Sequence, residues 1–583
     1  MLAVLIWQQS SAIGYCTLRH LWVKNAVAIR TTAPERVTIA DFINESRLNR
    51  ACRRLQGNTT PGQRTKHMPE QYAPDGDNAQ SCLQAAMTCH QQGQLYDADL
   101  YYSRTLQLDP KNIQALRLRA ILAREQGAIE RALLLLDRAV ELAPKHSLPL
   151  SDRGITHMMT GALQSAETDL RAALTLAPNS VDVLTNLGAL LQHRGHLAEA
   201  IALYREILAL DSDEIEIHCN LAKALADAGQ EAVALNEIDA AIAAANGGRG
   251  TLATRGAILL DAKRYEDARE TLEQASRLDE QDDMTLVNLA LCWMESGDSK
   301  AATKALQHAL QINPDNSRAA ADMINCLSAQ GLDTNALQLA EDFLHAHPAE
   351  RLVTGSYAQA LLNAGHKNAA AELLNSENLI QTFDLPVPEK FENHNAFNTA
   401  LREQLLADPS LLRDPVSKAT TGGDQTGELN LQSSLAYAAF SELADTAIQQ
   451  AAAEYSERGL HDHPVMQPAS DGWNLRTWGT VLQAGGMQSA HMHPLGWLSA
   501  VYYVSIPADM NANNEAAGWL EFGIPPERVF TRTDSTPASF EPREGRLIVF
   551  PSWFWHRTRP FVSNQARISI AFDVMPKNRL SAI

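Results

Sequence analysis

From residue 79 to residue 382 apolar positions recur at helical spacing, as at Ala132, Leu135, Leu136 and Ala139, in segments punctuated at a fixed interval. Alanine falls at Ala98, Ala132, Ala166, Ala200, Ala234, Ala268, Ala302, Ala336 and Ala370, every 34 residues. Five residues before each stands a glycine (Gly93, Gly127, Gly161, Gly195, Gly229, Gly297, Gly331, Gly365), with Lys263 in the remaining place. Twelve residues after the alanine comes Pro110, Pro144, Pro178, Pro314 or Pro348, interrupted by Ser212, Asn246 and Glu280. With only 31 glycines in 583 residues, such phase-locking is not chance. Glycine ends a first helix where a left-handed backbone is needed. Alanine lets two helices approach, and proline pushes the residue before it out of the α region and closes the second. The pattern predicts consecutive helical pairs. Past Glu372 the period fails, and the polar stretch from Phe383 to Phe397 marks a boundary. Two helical stretches follow, about Phe397 to Ala407 and Ser434 to Arg458, with the Gly- and Thr-rich SKATTGGDQTGELN read as a loop between them. From Trp473 onward the runs are short, β-branched and aromatic (NLRTWGTVLQ, WLSAVYYVSI, GWLEFG, RLIVF, ARISIAFDV), as strands of a β-sandwich or jelly roll.

The 34-residue period and its small-residue signature resemble the tetratricopeptide repeat, over about nine repeats at 79–382. The resemblance implies an all-α solenoid, a right-handed superhelix whose concave face binds a protein or peptide; a spacer or self-association is the alternative. Residues 1–78 show no period and are expected to be irregular or disordered, or an extension upstream of a start near Met68. A net charge of −19 argues against broad nucleic-acid binding, which needs Lys and Arg to neutralise phosphates. No apolar run approaches the length of a membrane span. The seven cysteines are scattered without a CxxC, which points to a reducing, cytoplasmic setting.

The chemistry gathers in the strand region. His491 and His493, in QSAHMHPLGWLSAVYYV, stand two apart, so on a strand both imidazoles face one side. His556 follows 63 residues later in LIVFPSWFWHRTRPF, spaced for a second strand to bring it to the same ion. Imidazole suits iron, copper, zinc and nickel alike, so the ligands do not name the metal. Arg567 comes eleven residues further on, sharing a strand face with Ser569. A guanidinium buried there needs an anionic partner, and its planar fork suits a carboxylate. By contrast, His461 and His463 read as surface residues of a polar loop, and Trp497, Trp519, Trp553 and Trp555 as core or rim packing.

These motifs, with DPVSKATTGGDQTGEL before them and RISIAFDV after, resemble the prolyl-hydroxylase-like 2-oxoglutarate oxygenases, in particular an oxygenase family found behind tetratricopeptide arrays. The resemblance spans about Leu385 to Pro576. It implies a domain at 383–583, with a helical lead-in at 383–460 and a double-stranded β-helix, or jelly roll, at about 470–576. It also implies Fe(II) on His491, His493 and His556, and 2-oxoglutarate with its far carboxylate on Arg567, assisted by Tyr503 and Ser569. The implied reaction uses O2 and 2-oxoglutarate, releases succinate and CO2, and hydroxylates an unactivated C–H. One departure stands out: most such enzymes carry aspartate where this chain has His493. Glu521 and Asp573 are candidate substitutes for the missing carboxylate. Three functions stay open: a hydroxylase acting on a polypeptide recruited by the repeats, a repeat scaffold whose jelly roll is inactive, and a dioxygenase using another metal or no 2-oxoglutarate.

Overall fold

The computed structural model describes residues 78–245, 247–416, 418–461, 463–466, 472–510, 516–532 and 537–577. The aperiodic N-terminal stretch, apart from its last residue, lies outside the described residues. The chain divides into two compact units, one within residues 18–144 and one holding everything from Lys145 onward. The first contains α1 (Ala79–Gln91), α2 (Leu95–Leu108), α3 (Ile113–Glu125) and α4 (Ile129–Leu142), two repeats. In the second, helices α5 (Ser147–Met159) to α18 (Lys367–Leu373) continue the pairing. Among them are α7 (Val181–His193), α11 (Arg249–Asp261), α12 (Tyr265–Leu278), α13 (Asp283–Glu295), α15 (Ser317–Ala329), α16 (Asp333–Ala346) and α17 (Arg351–Asn363). No described helix is long and apolar enough to cross a membrane.

The periodic residues do what their chemistry requires. All nine alanines are fully buried. The eight glycines have positive φ, between 71 and 83°. A Cβ at Gly93, Gly127 or Gly161 would meet nothing within 4 Å, so conformation, not space, selects glycine. Lys263, between α11 and α12, is forced to φ 58° in the same place. Side chains of Asn78, Asn112, Asp282 and Asn316 cap the inner helices α1, α3, α13 and α15 by accepting from backbone N–H groups.

Beyond a short α19 (Ser376–Leu379), a sheet-rich region begins at β1 (Gln381–Asp384). Its helices are α20 (His394–Leu406) and α21 (Leu435–Glu457). Its strands continue as β2 (Leu412–Arg413), β3 (Thr420–Gln425), β4 (Trp473–His491), β5 (Leu498–Ser505), β6 (Leu520–Phe522), β7 (Ala538–Phe540), β8 (Arg546–Pro551), β9 (His556–Thr558) and β10 (Arg567–Pro576). They form one ten-stranded sheet, in the order β1-β8-β5-β10-β4-β9-β6-β7, with β3 along β4 and β2 along β3. The sheet is a curled half-barrel. The first half of β4 pairs with β10, from Leu482 against Arg567 to Trp473 against Pro576. Its last turn pairs with β9, His491 opposite His556.

Two expectations need correction. The lead-in is not purely helical, and the Gly-rich segment is not a loop: Thr420 to Gln425 is strand β3, laid along β4. Glycine makes that pairing possible. A Cβ on Gly423 would stand 2.7 Å from the Val481 carbonyl, and Gly422 takes φ +68° against Gly486.

Strand alternation then builds core and site from the same residues. Ile568, Ile570, Phe572 and Val574 of β10 are buried in the core beneath α20 and α21, where Phe440 meets Phe572 at 6.0 Å and Tyr502 at 5.4 Å between ring centroids. The intervening Arg567, Ser569, Ala571 and Asp573 face the other way.

The repeats of the second unit touch this region at several places. Near α7, the Glu428 N–H donates to the Arg194 carbonyl at 2.6 Å and Arg476 Nη2 to the His193 carbonyl at 3.2 Å. Further along, Asn325 of α15 and Asn363 of α17 grip the segment after β6. Asn325 donates to Arg528 O (3.0 Å) and accepts from Phe530 N (2.7 Å); Asn363 donates to Phe530 O (3.0 Å) and accepts from Arg532 N (2.9 Å). Arg532 adds an ion pair with Asp333 of α16 at 2.6 Å.

Relieving the strained turn between α11 and α12 tests the repeat geometry. Lys263→Gly is expected to raise stability by roughly 0.5–1 kcal/mol, because the left-handed penalty on a side-chain-bearing residue exceeds the entropy glycine adds to the unfolded chain. Urea unfolding checks it; an unchanged or lowered midpoint contradicts it.

Candidate metal centre

His491 closes β4, His493 lies two residues past its end, and His556 opens β9. The i, i+2 relation therefore does not rest on one continuous strand. His493 is placed instead by its N–H donating to the Ser552 carbonyl at 2.9 Å. The three rings still converge: centroids are 4.2 Å apart for His491 and His556, 4.9 Å for His491 and His493, and 5.1 Å for His493 and His556. One nitrogen from each lies within 4.8 Å of the others, so the cluster could hold a metal ion.

Second contacts settle which nitrogen that is. His491 Nδ1 meets the Ser489 carbonyl at 2.7 Å and His556 Nδ1 the Phe554 carbonyl at 3.0 Å. A carbonyl only accepts, so both protons sit on Nδ1 and the lone pairs are on Nε2. His493 Nδ1 stands 3.2 Å from Asp573 Oδ2, and Ser499 Oγ holds the other carboxylate oxygen at 2.6 Å. Its ring stacks on Trp478 with centroids 5.4 Å apart. Burial pushes the His491 pKa down to about 3, with the neighbouring His493 adding to the effect, and holds His556 well below the usual imidazole range. Neutral imidazole is the form that binds a metal.

Arg567 is 1% exposed and no acid pairs with it among the described residues. Its Nε and Nη1 are buried without a hydrogen-bond partner, as is the Tyr503 hydroxyl. Its guanidinium carbon lies 4.9 Å from the Tyr503 ring centroid. Burial lowers the Arg567 pKa and raises that of Tyr503. Arg567, the three histidines and Asp573 line one narrow cavity of about 20 Å³. That holds an ion or a water; a keto-diacid enters only if side chains part. Ser569 is buried opposite Tyr503 in the β10–β5 pairing but does not line the cavity. Glu521 is turned away, committed to Arg557 at 2.9 Å and Arg559 at 3.5 Å. Of the two candidate carboxylates, Asp573 alone reaches the cluster, and it stands behind His493 rather than beside it.

Residues 476–573 match the family model described as "Putative 2OG-Fe(II) oxygenase". Tetratricopeptide-repeat models match 91–147, 152–215 and 259–321. The chain carries tetratricopeptide repeats and, toward its C-terminal end, a domain that matches this oxygenase family. None of the curated proteins matches this sequence. Among solved structures, a tetratricopeptide repeat protein from Parabacteroides merdae is 15% identical with a TM-score of 0.40, covering 42% of this chain and 98% of that one. PilF of Pseudomonas aeruginosa is 17% identical (TM-score 0.29; 35% and 92% covered), and MamA of Desulfovibrio magneticus 19% identical (0.28; 29% and 97%).

Within the oxygenase domain, sequence reasoning passed over Trp478 and assigned Asp573 only as a substitute ligand. It also set aside His463, which is half-buried, with Nε2 3.2 Å from the Glu372 carbonyl and Nδ1 accepting from Val465 N at 3.1 Å. His461 is exposed.

The depressed histidines make the metal-free protein acid-sensitive. Unfolded, they titrate near 6.5. Between that value and about 3 the unfolded chain binds a proton that folded His491 does not, so stability falls as pH falls through this window and is untouched above it. The slope reaches about 1.4 kcal/mol per pH unit per histidine. Chelator-treated protein should melt progressively lower from pH 7 to pH 5, and His491→Gln should flatten that trend; an identical trend in the variant contradicts the assignment.

Proposed function

We propose that this protein is an Fe(II)- and 2-oxoglutarate-dependent oxygenase that hydroxylates a polypeptide side chain. The single observation that carries the reading is Arg567, a buried guanidinium with two orphaned N–H-bearing atoms, on the same cavity as three imidazoles. The donor set fits the cofactors that the family implies. His491, His493 and His556 would offer Nε2 to the iron, and Arg567 would take the far carboxylate, with the Tyr503 hydroxyl as a second donor beside it. Ser569 has a supporting place on the same strand face. When bound, iron would supply the oxidising chemistry of the family, in which 2-oxoglutarate loses CO2 and takes one atom of O2 to become succinate while the other atom enters a C–H bond of the substrate. The rest belongs to the chain: backbone carbonyls fix two ring tautomers, and Asp573 holds the third and returns, one bond further out, the negative charge that an aspartate ligand would have brought. We also read the half-barrel as a double-stranded β-helix, supported by β4 serving both the β10 side and the β9 side. A cytoplasmic setting belongs to the same proposal, on the cysteine pattern. The scaffold alternative draws on His493 standing where aspartate is usual.

Anaerobic titration with Fe(II) and 2-oxoglutarate should give a visible charge-transfer band. Arg567→Met should weaken 2-oxoglutarate binding by about 100-fold, the worth of two charge-assisted hydrogen bonds, while sparing the metal. Iron bound with no band, or equal affinity in the variant, contradicts the proposal. Asp573→Asn should lower cobalt(II) affinity about 10- to 100-fold and shift its visible spectrum, with partial recovery in Asp573→Glu. Unchanged affinity would show that His493 needs no carboxylate behind it.

A further inference from the structure

Within the second unit a cavity of about 240 Å³ lies between the repeats and the oxygenase domain. Helices α13, α15 and α17, the first helices of three successive repeats, form one wall. His491, Met492, Pro494, Trp555 and residues 528–529 form the other, so the cavity ends on the histidine cluster. Much of the lining is flexible and apolar, including Met284, Leu291, Met294, Leu352 and Met492. Three polar atoms in that lining nevertheless are buried with no hydrogen-bond partner: Asp322 Oδ2, Ser328 Oγ and Trp555 Nε1. Ser328 is 1% exposed. Asp322 Oδ2 has an ion pair with Arg318 one turn before it, at 3.7 Å, too long for a hydrogen bond.

Burying polar groups that lack a hydrogen bond is costly, and several around one cavity point to a ligand that supplies those bonds. The acceptor at Asp322, the donor at Trp555 and the hydroxyl at Ser328 call for donors and acceptors on an otherwise apolar body. A fatty acyl chain lacks the donors; an oligosaccharide lacks the apolar body. A peptide has both. The adjoining surface already handles main chain in this way, since Asn325 and Asn363 hold the backbone of residues 528–532 through four hydrogen bonds.

We propose that this cavity is the substrate site, taking a segment of a polypeptide whose main-chain amides pair with Asp322, Ser328 and Trp555 and whose aliphatic side chain reaches the face of His491. The inference rests on the oxygenase reading above and adds to it that the repeats supply part of the site itself. Residues 528–529, at the start of the segment locked by α15 and α17, form part of the opposite bank, and the incoming chain lies along it.

The test uses the full-length protein with manganese(II) and 2-oxoglutarate, offered a synthetic random dodecapeptide library, a maltodextrin ladder and dodecanoate in separate arms. Wild type should enrich a subset of peptides at least tenfold over input. Asp322→Asn and Ser356→Trp, the second filling the cavity from α17 without touching the histidines, should each lose at least fivefold of that enrichment. Equal enrichment in both variants, enrichment only in the saccharide or acyl arm, or none in any arm overturns the proposal. The anaerobic iron–2-oxoglutarate band on the same preparations separates the two claims. A band with no peptide discrimination overturns this inference alone; no band overturns the oxygenase reading beneath it.

Discussion

A guanidinium taken out of water loses several kcal/mol of solvation, and a protein normally offsets that with a carboxylate held against it. At Arg567 the offset is absent from the folded chain: the side chain is 1% exposed, two of its nitrogens have no acceptor, and the nearest ring is a tyrosine whose own hydroxyl is orphaned. What keeps it there is β10, central in the sheet and paired on both sides. The strand buries Ile568, Ile570, Phe572 and Val574 under α21, and the two-residue period then leaves Arg567 and Asp573 no choice but the opposite face. The fold imposes the cost; a dianionic ligand is what would repay it.

The histidines obey the same logic of positions dictated from outside. None of the three is free to choose its tautomer, because Ser489, Phe554 and Asp573 each stand against Nδ1. The three rings are therefore oriented, with one nitrogen of each within 4.8 Å of the others, before any ion arrives. A triad of neutral ligands leaves a divalent ion more positive than a set containing aspartate. Asp573, behind His493, would restore part of that field without occupying a coordination position.

The repeats of the second unit and the sheet-rich region are less separate than their sequence signatures suggest. The period was legible because each marked position answers a local demand, and Lys263 confirms the rule by adopting the left-handed backbone where glycine is missing. The facing of Arg567 could be read because strand alternation ties spacing to facing, whereas His493, past the end of β4, is turned to His491 by its bond to Ser552 and not by alternation. Strand β3 was hidden: TTGGDQ has turn composition, and only the close approach to β4 explains why glycines sit in a strand. The clamps at Asn325 and Asn363 were hidden for another reason, since the backbone they hold is some two hundred residues away and leaves no mark at either end. Asp573 was visible as an acid near the site, but whether it binds an ion or a ring depends on Å-scale placement that spacing does not carry. Trp555, taken as packing, turned out to line the larger cavity for the same reason.

The claim on which the account depends is that Arg567 exists to meet a carboxylate remote from the metal. The most direct measurement compares calorimetric dissociation constants of manganese(II)-loaded protein for 2-oxoglutarate and for 2-oxopentanoate, which keeps the chelating keto-acid and lacks only the far carboxylate. The account predicts that the monoacid binds about 100-fold more weakly, as expected when charged hydrogen bonds to a buried guanidinium are lost. Equal affinities would contradict it.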